Sequence, residues 1–452
     1  MPSAAWLPFL VVLTTASFAR SSPTPRAISA SPISHIIVIY QENHSFDDTL
    51  GKLCVLELGC NGAKKGMLPS GRVIKLQREP DLVPKVAHDV KAQVTAINGG
   101  AMNGFGRIGG CRQRDGYACY AQFNPDQIPN LANLARNFAL SDATFESAIA
   151  SSWPSHIFIA SATLDGFQGN NPKHGQIPSH AGAGCDSGKD APWFKGTKII
   201  WVPSCIPDQG GNGPYRASPV KYVPTIMDRI EGAGLTWHMY NVYGPDNHKA
   251  GVGNSWTICP TFYECLGSSQ KSQWFPADQF LTDAQNGVLP SLSFVVPVAE
   301  NSQHNLYSMM MGDNWIGKVV SSVMNGPDWL TSAIFITYDE CGCFYDHAVP
   351  PPHDPPLGIR VPLVIVSPYA KPRFTDSTLA STASILAFIE HTFSLAPLNS
   401  YDGTAYDFSN SFVFGKAPLA PIPLPQHRIP KWELRYLREH PPPIDVTEGP
   451  GG

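Results

Sequence analysis

The chain has 452 residues, 43% of them hydrophobic and only 15% charged, with a formal net charge of −4. This is enough apolar material for a large core. No basic run appears, so neither nucleic acid nor an anionic membrane surface is implied as a partner. The 39 glycines and 43 prolines predict many ordered loops.

In chain order, Ala5-Trp6-Leu7-Pro8-Phe9-Leu10-Val11-Val12-Leu13 is an apolar run, and Ser17-Phe18-Ala19 supplies small residues for cleavage. Residues 1–19 therefore read as a secretory signal peptide, although no Lys or Arg precedes the run. No later stretch reaches the roughly 18 apolar residues of a membrane-spanning helix, so a secreted, soluble protein is expected, extracellular or periplasmic. Residues 20–33 form a Ser/Pro-rich flexible leader. Strands are predicted at 35–40, 198–202, 235–240, 291–296, 333–337 and 361–366. Helices are predicted at 312–325, after a Thr225 cap, and at 383–393. This alternation predicts an α/β fold, with a mainly parallel central sheet and helices on both faces. The segments 51–127, 168–195 and 244–275 are too long for plain connections and read as active-site loops. Residues 34–415 are expected to form the catalytic domain, and 416–452 a Pro-rich tail, extended or partly disordered.

The ten cysteines fall in local pairs: Cys54 and Cys60, Cys111 and Cys119, Cys185 and Cys205, Cys259 and Cys265, Cys341 and Cys343. In an exported chain these suggest disulfides between neighbours. The absence of a C-x-x-C pair argues against zinc thiolates. Cys341-Gly342-Cys343 reads equally as a tight disulfide ring or as two free buried thiols.

Three segments carry chemistry. The run 333–336 leads into Asp339-Glu340, then Asp346-His347, and the run 36–40 leads into Glu42-Asn43. Ligands in open α/β sheets bind beyond the carboxyl ends of strands, and clustered oxygen ligands there suit a divalent cation. In Ser152-Trp153-Pro154-Ser155-His156, the proline suits a first helical turn and places Ser152 at a helix N-terminus. Free N–H groups and the helix dipole favour a phosphate or an ionised serine there. A metal held by Glu42, Asn43, Asp339 and Glu340 would lower the Ser152 pKa.

Gln41-Glu42-Asn43-His44-Ser45-Phe46-Asp47 resembles the E-N-R-S-F-D signature of a secreted phosphoesterase family. That family comprises bacterial phospholipases C and acid phosphatases, within the alkaline phosphatase superfamily. Asn98-Gly99-Gly100-Ala101-Met102-Asn103-Gly104-Phe105, Ser152 to His156, Thr337 to His347 and Arg360 to Tyr369 resemble further family segments in the same order. His44 replaces an Arg, Asn103 an Asp, and Cys341-Gly342-Cys343 a triple glycine.

The resemblance implies an alkaline phosphatase-like fold. It makes Ser152 the nucleophile, with Glu42, Asn43, Ser152, Asp339 and Glu340 on the metal. His88, His304 and His347 join the catalytic set, His304 protonating the leaving oxygen, and Asn43 donates to a phosphate oxygen. The oxygen-rich ligand set points to Mg²⁺, Mn²⁺ or Ca²⁺, their number left open. The expected function is a metal-dependent phosphomonoesterase of acid-phosphatase type, working through phosphoserine on a small phosphoester. The alternative is a phospholipase C acting on phosphodiesters such as phosphatidylcholine and binding a phospholipid head group. A sulfatase or an inactive binding protein ranks below both. Oligomeric state does not follow from these residues.

Overall fold

The computed structural model describes residues 31–441 except 114–115, 168, 175–182 and 242–255, so the expected signal peptide and most of the leader lie outside the described residues. Eight strands form the central sheet: β1 (His35–Gln41), β2 (Ala139–Ser141), β3 (Trp237–Asn241), β4 (Trp274–Phe275), β5 (Leu292–Val296), β6 (Ser332–Tyr338), β7 (Leu363–Val366) and β8 (Phe374–Asp376). Their order is β4-β3-β5-β1-β6-β7-β2-β8. Every pairing is parallel except β6 with β7 and β7 with β2. β6 is buried along its whole length, and its apolar run fits a strand covered on both faces.

The helices used below are α1 (Val90–Ile97), α2 (Pro129–Asn137), α3 (Ser152–Ser161), α4 (Ile226–Gly232), α5 (Met309–Met324), α6 (Ala383–Phe393) and α7 (Lys431–Glu439). Alternation along β6 shows that they cover both faces. Phe335 packs edge-on against Phe388 of α6, ring centroids 4.9 Å apart. Tyr338 points the other way and donates to Gln303 Oε1 at 2.6 Å. The Gln303 side chain fills the space where a Cβ on Gly312 of α5 would lie.

Five of the six expected strands enter this sheet. The sixth does not: Lys198–Pro203 pairs instead with Lys189–Lys195 in a hairpin outside it. Gly196-Thr197 makes a two-residue turn with Gly196 at φ 60°, which suits the tight turns that join adjacent antiparallel strands. Thr225 caps α4 in a full capping box with Asp228. The tail differs from expectation, because α7 follows the irregular stretch 416–430. Its prolines end at Pro430, just before the helix, and resume at Pro441. Proline therefore bounds this helix rather than excluding it. Four of the expected disulfides form: Cys54–Cys60, Cys111–Cys119, Cys185–Cys205 and Cys259–Cys265. Cys341 and Cys343 are free and buried, with their sulfurs 3.4 Å apart.

Candidate active site

β1 and β6 run side by side with Tyr40 opposite Thr337 and Gln41 opposite Tyr338. The next residues, Glu42 and Asp339, therefore leave the sheet together at its carboxyl edge. The Asp339 N–H donates to the Gln41 carbonyl at 3.0 Å and ties the two ends. α3 supplies the third side. It starts at Ser152, after Ser151, with Pro154 in its first turn. Tyr40 holds it in place: the hydroxyl donates to the Ser155 carbonyl at 3.4 Å, and the ring meets His156 edge-on at 4.7 Å.

These elements bring Glu42, Asn43, Ser152, Asp339 and Glu340 to one buried edge. Asn43 Nδ2 donates to Ser152 Oγ at 3.2 Å and to Glu340 Oε1. His156 lies one turn beyond Ser152, on the same helix face, with Nε2 2.9 Å from Glu42 Oε1. Glu42, Asp339 and His156 each offer one ligand atom within 4.8 Å of the others. Glu340 is engaged differently. Its Oε2 accepts from Gln93 Nε2 at 3.2 Å and from the Gly342 N–H at 3.1 Å, and it groups with Glu146 and Cys341.

Burial shapes the electrostatics. It raises the pKa of Glu42, and the Asp339 charge adds to the effect. Burial likewise pushes Asp339 up to about 7 and raises Glu340 and Glu146, both also under the Asp339 charge. Both Asp339 oxygens, Glu42 Oε2 and Asn43 Oδ1 are buried without a hydrogen-bond partner among the described residues. Orphaned acceptors are costly unless something positive meets them. A hard divalent cation fits this oxygen-rich group, with His156 as a nitrogen ligand or as the partner that orients Glu42.

The expected histidines divide. His88 and His304 meet edge-on at 5.3 Å, and the Trp256 ring lies 5.6 Å from His304. Gln93 joins this pair to the carboxylates, its Nε2 reaching both the His88 carbonyl at 3.5 Å and Glu340. Burial, and then the neighbouring His88, push His304 down to about 3; burial also lowers His88. The turn before His304 is held by His44, which bridges Asp48 and the Gln303 carbonyl. His347 joins another group. Its Nδ1 bonds Asp47 at 2.5 Å and its Nε2 faces Asn61 at 3.0 Å. Buried Arg360 pairs with both Asp47 and Asp346 in that cluster.

Sequence reasoning passed over His156, Gln93 and Glu146. Only His156 had a legible signal, its four-residue spacing from Ser152. Gln93 sits on α1 and Glu146 follows Phe145 outside any helix or strand, and no local pattern links either to this edge.

Comparison with known proteins places the chain among phosphoesterases. The chain is 24% identical to the non-specific phospholipase C4 of Arabidopsis thaliana over 75% of its own length and 63% of that protein's. It is 23% identical to phospholipase C A of Mycobacterium tuberculosis, covering 87% of this chain and 80% of that one. Against the hemolytic phospholipase C of Pseudomonas aeruginosa the identity is 22%, over 83% of this chain and 55% of the relative. Among solved structures, an alkaline phosphatase superfamily protein from Vibrio parahaemolyticus aligns with a TM-score of 0.39 at 10% identity, over 83% of this chain and 70% of that one. The model of the Phosphoesterase family matches residues 33–396, a span that holds β1, β6, α3 and every residue of the edge just described; the chain belongs to that family.

Proposed function

We propose that this chain is an exported, metal-dependent phosphoester hydrolase that transfers the phosphoryl group to Ser152, with small phosphomonoesters as its first substrates. The observation that carries the reading is Ser152 at the start of buried α3, bonded to Asn43 and facing carboxylate oxygens that have no other partner. Four disulfides support an oxidising destination.

Ser152 Oγ gives its proton to the neighbouring Glu42 or Asp339 carboxylate and attacks phosphorus in line while the ester oxygen departs on the opposite side. The N-terminal N–H groups of α3 and the Asn43 amide favour the charge on the transferring group. A divalent cation at Glu42, Asp339 and Asn43 would supply serine activation and charge neutralisation. His304 has a neutral ring in the free enzyme, because its pKa is about 3. A phosphate beside it raises that pKa, so the ring protonates the leaving oxygen only with substrate in place. Water then hydrolyses the phosphoserine. His347, bound up with Asp47 and Arg360, holds that neighbouring loop rather than touching substrate.

A second reading, phospholipase C, is favoured by the named relatives, all phospholipases C, although this chain spans only 63% of the plant enzyme. The test compares p-nitrophenyl phosphate with p-nitrophenyl phosphorylcholine, with and without chelator, for wild type and Ser152→Ala. Chelator-sensitive, Ser152-dependent monoester turnover is expected. Preference for the choline diester moves the assignment to phospholipase C. Full activity in Ser152→Ala overturns the mechanism.

A further inference from the structure

The hairpin Lys189–Lys195/Lys198–Pro203 carries an apolar face that the proposed chemistry does not use. Antiparallel register sets Phe194 opposite Ile199 and Pro192 opposite Trp201, so these side chains share one face. Toward the tip that face is open: Phe194 is 43% exposed, Ile199 54% and Trp201 48%. Lys195 and Lys198 flank the turn and are exposed as well. Strands that end in solvent normally present polar residues there. Here an aromatic ring, an indole and a β-branched aliphatic chain share one face, and the Lys195–Lys198 pair beside the turn points to the other.

The hairpin is fixed rather than loose. Trp193 Nε1 donates to the Asp165 carbonyl at 2.8 Å, and the Phe194 N–H donates to the Gly166 carbonyl at 2.8 Å. Phe167 bridges to Trp193 and packs edge-on against Trp153 at 4.8 Å. Trp153 follows Ser152, and the Ser151 N–H donates to the Gly169 carbonyl at 2.6 Å. Asp165, Gly166, Phe167 and Gly169 thus brace the hairpin directly against the helix end that bears Ser152.

We infer that this hairpin tip docks the protein onto a phospholipid surface. A narrow projecting tip with Trp and Phe on its apolar face suits the headgroup boundary, where amphipathic rings are favoured. The two lysines, on the opposite face of the same tip, can reach lipid phosphates around it. This complementarity is invisible as a basic run, because only the turn brings Lys195 and Lys198 together. The inference is independent of which phosphoester the site cleaves.

The test uses the full chain in a Ser152→Ala background, so that no lipid is consumed, with vesicles of phosphatidylcholine with and without phosphatidylserine. Sedimentation should show vesicle binding, stronger with phosphatidylserine and weaker at high salt. Phe194→Thr/Ile199→Thr/Trp201→Thr, which keeps β-propensity, should weaken binding about tenfold or more. The same triple change in the otherwise wild-type chain should leave hydrolysis of soluble p-nitrophenyl phosphate unchanged. Lys195→Glu/Lys198→Glu should lose the phosphatidylserine preference, and decides the matter if the triple variant misfolds. The inference is overturned if the parent does not bind vesicles or if the variants bind as the parent does. It is equally overturned if the triple change instead converts a dimer to a monomer in gel filtration, which would make the tip a protein contact. Loss of all hydrolysis in the wild type would count against the phosphoesterase reading alone, since vesicle binding is read separately.

Discussion

Asp165 combines two liabilities in one residue. Its backbone sits at φ 47°, a left-handed conformation that Asn adopts with little strain. Burial pushes its carboxyl up to about 7, and Oδ2 has no hydrogen-bond partner among the described residues. An acid with a raised folded pKa contributes stability below its unfolded value near 4, and loses it as pH rises through about 7. Asp165→Asn removes the ionisation and keeps the shape. Melts should show the variant about 1–2 kcal/mol more stable at pH 8, a figure discounted for partial solvent screening, and no gain at pH 4. Equal effects at both pH values would refute the argument. The free pair Cys341 and Cys343 gives a second prediction at this scale: alkylation under denaturing, non-reducing conditions should label two cysteines, and none if the pair is oxidised. Residues at strand ends were legible in the sequence, because a strand fixes where its next side chain emerges; Glu42 and Asp339 are the examples. His347 shows where that rule stops. It follows β6 in sequence, yet the turn after Glu340 carries it to Asp47 and Arg360.

Among the elements, α2 depends on a cap from outside itself. Its N-cap residue, Ile128, makes no side-chain bond. Asp313 of α5 does the work instead, accepting from the Asn130 N–H and the Leu131 N–H at 2.9 Å each. Asp313 is buried, so losing it strands two donors away from water. Asp313→Ala should cost about 1–3 kcal/mol in denaturant unfolding. A change within a few tenths of a kcal/mol would show that water replaces the cap. This bond spans 182 residues of sequence, so no local pattern in either helix points to it. α6, by contrast, was legible to the residue, because it opens on a dense apolar run from Ala383 to Ile389 and closes at Phe393. β2, β4 and β8 went unseen, since strands of two or three residues carry no readable alternation. The hairpin was half seen: its composition indicated a strand, but only the turn at Gly196 decided its partner.

Across the whole molecule, stability and the proposed function meet at the β1–β6 edge, in the middle of the central sheet. Glu42, Asp339, Glu340 and Glu146 converge there with no lysine or arginine recorded in a salt bridge to any of them among the described residues. Gathering like charges in a dry site costs stability, and a fold keeps such an arrangement when binding offsets the cost. Removing a bound cation should therefore weaken the whole domain, not only its activity. With divalent ion at 100 to 1,000 times its dissociation constant, linkage gives about 3–4 kcal/mol, which chelator should abolish as a fall in Tm. Asp339→Asn separates the causes. It removes one repelling charge, so in chelator it should melt at or above the wild type. It also removes a ligand, so added Mg²⁺, Mn²⁺ or Ca²⁺ should no longer raise its Tm. Ser152→Ala leaves the carboxylates in place and should keep most of the metal response while losing turnover. If wild-type Tm is the same with chelator and with each ion, the carboxylate edge does not hold a stabilising cation, and the orphaned oxygens of Asp339 must be satisfied by protonation instead.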